Sequence, residues 1–206
     1  MVLNKNEALK LWAHAFKHLS DSEPEIVEWA RGTGDHTFKN MRSKQFLQRY
    51  CFVVYASGFK FVTIKSIFAD LKIAFHDFDL DRLSRARSIK KALEVFNNER
   101  KAQNFLNGAK LIAAEGFASF KKRLKAGGPD VLMELPGIGN ITKDHLAKNI
   151  GLADVAKADV WLVRAAEKCG TADVSEMIEF LHSEVGESRH VIDVALWTYG
   201  RDGLLK

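Results

Sequence analysis

The chain has 206 residues, 47% of them hydrophobic, which is enough for one large core or two small ones without a stabilising metal or disulfide. A net charge of +5 and a pI near 9.1 permit a polyanionic partner. The only cysteines, Cys51 and Cys169, lie far apart in apolar patterns. They exclude a thiolate-held zinc or iron–sulfur centre and read as reduced core thiols. No signal peptide and no bilayer-length apolar run is seen, so an intracellular protein is expected, cytoplasmic (nucleoid) if the source is prokaryotic.

The pattern is helical from end to end, and an all-α fold is expected. Leu9, Trp12, Phe16 and Leu19 follow the 3.6-residue period of an amphipathic helix, with His14 and His18 off the stripe. Ser22-Glu23-Pro24-Glu25 reads as a capping box that opens a short helix through Ile26, Val27, Trp29 and Ala30. The polar stretch 32–40 reads as a loop and a boundary. Residues 44–56 form a strongly apolar helix that stops at Ser57-Gly58, and 59–69 continue as another. His76-Asp77-Phe78-Asp79 is a connector in which Asp79 or Asp81 caps the next segment. Residues 82–96 are basic and weakly periodic. Residues 99–115 give the clearest helix, with Ala102, Phe105, Leu106, Ala109, Ile112 and Ala113 on one face. In 117–126, Phe120 and Leu124 point inward and Lys121, Lys122, Arg123 and Lys125 outward.

The chain is organised around Leu135-Pro136-Gly137-Ile138-Gly139-Asn140-Ile141-Thr142-Lys143. An apolar turn leads in, Pro136 stops it, and the two glycines allow a tight turn with no side chain before the amides. Residues 140–150 then read as a helix with Gly151 just past its end. A glycine hairpin opening a helix aims free N–H groups and the positive end of a dipole at one spot, which suits an anion. Asp159 is placed to cap a helix over 160–166. Asp173-Val-Ser-Glu176 is a second capping box, and 191–197 is apolar on most sides, so the carboxylate of Asp193 within it needs a partner.

These residues resemble the helix-hairpin-helix DNA glycosylases of the endonuclease III and 8-oxoguanine glycosylase superfamily. The resemblance lies in the Leu-Pro-Gly-Ile-Gly hairpin, in Lys157-Ala158-Asp159 about twenty residues beyond it, in Asn98-Glu-Arg-Lys-Ala-Gln-Asn-Phe105, and in Asp193-Val-Ala-Leu-Trp197. It implies a two-lobe fold, with a central helical lobe over 44–150 and a second lobe from 1–43 plus 151–206. It implies a monomer that flips a damaged or modified base out of double-stranded DNA and hydrolyses its N-glycosidic bond. Gly137, Ile138, Gly139, Asn140, Ile141 and Lys143 would contact DNA. Asp159 would be the catalytic carboxylate. Phe52, Tyr55, Ser57, Phe59 and Trp161 would lie at the base pocket or serve as the wedge. Backbone carbonyls of Met133, Leu135 and Ile138 would accept a monovalent cation, with no other cofactor.

Two departures shape that expectation. The Schiff-base lysine of bifunctional members falls on the second residue after the last hairpin glycine, which here is Ile141. Lys143 is two residues further on, roughly 200° around the helix. A monofunctional enzyme is therefore expected. The alternatives are a glycosylase/lyase using Lys143 and a non-enzymatic DNA-binding protein in which Asp159 only caps its helix. The residue two after Asp159 is Trp161, where close relatives have His.

Overall fold

The computed structural model describes residues 2–205, and among them every regular element is a helix. The chain divides into two compact units, Met1–Asp35 with Ala153–Lys206, and His36–Leu152.

The first unit is built from α1 (Lys5–Ser22), α2 (Pro24–Gly32), α11 (Val160–Lys168), α12 (Val174–Val185) and α13 (Arg189–Arg201). The stripe of α1 buries Ala8, Leu11, Trp12, Ala15 and Leu19. α13 is apolar on most sides, and it buries Val191 to Leu196 against this stripe and against Leu162, Ala165 and Met177. Its Asp193 carboxylate accepts the Lys157 backbone N–H, which is the partner its burial requires. The box at Asp173 is relayed. Asp173 accepts from the amides of Ser175 and Glu176, while Glu176 turns back to the Thr171 hydroxyl, which in turn accepts the Asp173 amide. The box expected at Ser22 does not form. The Ser22 hydroxyl donates to the His18 carbonyl inside α1, and α2 begins at Pro24 with no side-chain cap.

The second unit holds α3 (Asp35–Asn40), α4 (Ser43–Ala56), α5 (Phe61–Ala74), α6 (Leu80–Arg85), α7 (Lys90–Val95), α8 (Glu99–Glu115), α9 (Phe117–Gly127) and α10 (Asn140–Asn149). Two segments depart from the sequence expectation, and a third takes definite form. The polar stretch 32–40 contains α3, because Phe38 is buried under the Lys121 stem and the Lys121 ammonium donates to the carbonyls of Lys39 and Met41. The helix expected over 59–69 is α5, which starts at Phe61 after a turn and runs on to Ala74. The basic run 82–96 is two short helices. Asp79 caps α6 through the Arg82 amide at 2.8 Å, while Asp77 lies 3.9 Å from the Lys72 ammonium. An aromatic cluster fills the core: Phe105 touches Tyr50, Phe75 and Phe78, and Phe46 touches Tyr50 and Phe120. Both cysteines are buried and free. No helix among the described residues is long and apolar enough to cross a membrane.

Candidate nucleic-acid interface

A 3₁₀ turn (Gly128–Glu134) delivers the chain to the hairpin. Leu135 and Ile138 point inward, while Gly137, Gly139 and Asn140 are exposed. The Ile138 amide donates to the Leu135 carbonyl at 3.1 Å, closing a β-turn with Pro136 and Gly137 at its centre. Gly137 has φ +84°, as the third position of such a turn requires. A Cβ there would come within 3.1 Å of Asn104 Nδ2 and 3.3 Å of Val54 Cγ2. Gly139 differs from expectation. Its φ of −130° is open to any residue, and an added Cβ would meet nothing within 4 Å. The fold does not demand this glycine, and the space beside it is open.

Those amides begin α10. The Gly139 N–H goes to Thr142 Oγ1 at 2.8 Å. Among the described residues no acceptor meets the amides of Asn140, Ile141 and Thr142. Tyr50 holds the hairpin from beneath. Its hydroxyl lies 2.6 Å from the Pro136 carbonyl and 3.1 Å from that of Asn104. Burial pushes this phenol far above its ordinary range, so it remains an O–H donor. The same oxygen would lie 2.2 Å from a Cβ on residue 108, which explains a glycine in the middle of α8.

Lys143 does not project freely. Its ammonium is 2.9 Å from Asp130 and 3.3 Å from Asp144. The hydrogen bond to Asp130 is the main reason its pKa lies above the usual lysine value. An amine held protonated is a poor nucleophile. Ile141 is half exposed.

Four of the five pocket candidates belong to the second unit and one to the first. Phe52 packs edge-on against Phe61 and Phe68. Tyr55 is fully buried between Phe75 and Phe96. Ser57 and Phe59 sit on the exposed turn between α4 and α5, where Phe59 is 43% exposed. Trp161 lies in the other unit, packed on Gly200 of α13 with Arg164 over its ring.

One residue of this region escaped the sequence reading. Lys101 is 6% exposed, and its ammonium donates to the carbonyls of Val54 at 2.6 Å and Ser57 at 2.7 Å. It also lies 5.2 Å from the Phe59 ring centre. Burial first, and Arg100 second, lower its pKa. The signal was its position: Lys101 is one turn before Phe105, on the buried side of α8.

In the other unit, Asp159 is the N-cap of α11. Its Oδ1 accepts from the amides of Trp161 at 3.0 Å and Leu162 at 3.4 Å. Its Oδ2 is 2.7 Å from Lys157 Nζ. The helix start favours negative charge at this point. Among the described residues, no group of three or more His, Cys, Asp or Glu is placed to hold a metal.

No family model matches the sequence, and no curated protein matches it. Solved structures do. The chain is similar to the 8-oxoguanine DNA glycosylase of Methanocaldococcus jannaschii, with a TM-score of 0.64, 19% identity, and 95% of each chain covered. It is similar to that organism's 8-oxoguanine glycosylase/lyase in complex with a 15mer DNA containing 8-oxoguanine, at TM-score 0.63 and 16% identity, over 94% of this chain and 98% of that one. It is also similar to the 8-oxoguanine DNA glycosylase of Thermotoga maritima, at TM-score 0.64 and 18% identity, over 93% and 96%. The chain thus shares the all-α fold of these structures.

Proposed function

We propose that this protein is a monomeric DNA glycosylase that removes a damaged or modified base from duplex DNA by hydrolysis. The observation that carries the reading is the carboxylate of Asp159, fixed at a helix start in a chain with this fold. The base leaves the stack before reaction. The unmet amides of Asn140, Ile141 and Thr142 then hold a backbone phosphate, with no side chain on Gly139 to keep it away. As the bond from the base nitrogen to the sugar C1′ lengthens, positive charge grows on the sugar. The Asp159 carboxylate stabilises that charge and orients the water whose oxygen bonds to C1′; the departing base takes up a proton.

The hairpin favours a monofunctional enzyme, because Ile141 carries no amine and Lys143 is bound to two carboxylates. A monovalent cation suits the hairpin. Among the described residues the carbonyls of Met133 and Ile138 accept no hydrogen bond, and that of Leu135 keeps a second lone pair. Such a cation would add positive charge near a bound phosphate.

The test is a panel of duplex oligonucleotides, each with one modified base, with 8-oxoguanine first because the similar structures act on or contain it. Base release from a member, with no adduct trapped by borohydride, is the expected result. Release accompanied by an adduct that disappears in Lys143→Gln would favour the lyase reading. Tight binding with no release anywhere would favour a DNA-binding protein in which Asp159 is only a cap.

A further inference from the structure

The two oxygens of Asp159 have different surroundings. Oδ1 accepts both amides at the start of α11. It cannot turn elsewhere without uncapping the helix. Oδ2 is therefore the oxygen that would face a sugar. Among the described residues it has one partner, the Lys157 ammonium at 2.7 Å. A cation in contact with the carboxylate cancels most of the field that an oxocarbenium ion would feel. For Asp159 to act, Lys157 must move aside.

The backbone of Lys157 is fixed. Its amide donates to the buried Asp193, and its carbonyl accepts the Asp159 N–H at 2.7 Å in a tight turn. Its side chain is held less firmly. Lys157 and Asp159 side chains retain 20% and 14% of their exposure, so the pair is open to solvent on one side. The four-carbon stem lets the ammonium swing by several ångströms while the backbone stays put. A DNA backbone, with a charge about every 1.7 Å along the axis, offers such an ammonium a dense row of competing anions.

We infer that Lys157 is a DNA-backbone contact that, in the free protein, covers the reactive oxygen of Asp159, so that phosphate binding uncovers it. The inference rests on the glycosylase reading of Asp159 given above. The carboxylate then carries its full charge toward the sugar only when DNA is engaged. Lys157 touches no reacting atom in this scheme and is a positioning residue.

Two measurements on the parent protein, Lys157→Met and Lys157→Arg test it. The first is the salt dependence of affinity for an unmodified duplex. Lys157→Met should lower the slope of log affinity against log salt by about 0.9, the value for one phosphate, and Lys157→Arg should restore it. The second is single-turnover base release from duplexes that each carry one neutral methylphosphonate. At one position the parent should slow several-fold, while Lys157→Met, already lacking the cover, should be insensitive. An unchanged salt slope in folded Lys157→Met overturns the contact. The absence of any methylphosphonate position that separates the two proteins overturns the covering role. If the parent releases no base from any duplex, the glycosylase reading fails instead, and the salt slope still decides the contact.

Discussion

Asp159 performs two tasks in this reading, capping a helix and stabilising a sugar cation, and two substitutions separate them. Asp159→Asn keeps an oxygen able to accept from the Trp161 and Leu162 amides, and Asn caps about as well as Asp. It loses the ion pair with Lys157, which is partly exposed and worth on the order of 1 kcal/mol. Asp159→Ala loses the cap as well, at a further cost of about 1 kcal/mol. For a chain of this length, each kcal/mol moves the melting temperature by roughly 2–4 °C. The asparagine variant should thus melt within a few degrees of the parent, and the alanine variant a few degrees lower. Base release should behave otherwise. Both variants should be slower by on the order of a hundredfold or more, corresponding to about 2.7–4 kcal/mol of lost transition-state stabilisation. Thermal melts and single-turnover release on one substrate are sufficient. An Asp159→Asn protein within tenfold of the parent would refute the assignment. Asp154 and Glu134 would be tested next, although Asp154 already accepts from the Arg189 and His190 amides and Glu134 pairs with Arg123.

The two hairpin glycines should respond differently to substitution. Gly139→Val should fold normally, since its Cβ meets nothing, yet bind all DNA sequences more weakly, whereas Gly137→Ala should lose stability because it combines positive φ with contacts to Asn104 and Val54; gel shifts and urea unfolding distinguish the two. Lys101→Met should cost about 1–3 kcal/mol in urea unfolding by leaving the Val54 and Ser57 carbonyls without their donor, and a variant as stable as the parent would mean water replaces it. Neither cysteine should react with iodoacetamide at pH 8 in the folded protein, because burial pushes the Cys169 thiol to about 11 and Cys51 well above its usual value; both should react in urea.

Local patterns predicted what depends on local patterns. The caps at Asp79, Asp159 and Asp173 were legible because a cap needs only its own next three residues. The 3.6-residue period of α8 placed its buried face correctly for the same reason. What escaped was set by distant partners. α3 forms where the composition reads as loop because Lys121, eighty residues away, ties down its end. Tyr55 and Phe59 are four residues apart and read alike, yet one is core and the other half exposed. The difference is where α4 stops, at a turn fixed by Lys101 of α8. The hairpin was visible as a motif, but which glycine the fold needs depended on Asn104 and Val54 standing behind one of them.

The composition of the first unit sets an order of events in synthesis. α1 and α13 pack against each other, yet the whole of His36–Leu152 is translated between them. At ordinary translation speeds α1 waits on the order of ten seconds for α13, with only α2 beside it in the meantime. The central unit has no such delay, because all of its helices are contiguous in the chain. It can fold as it emerges, while α1, made before it, finds its place only after it.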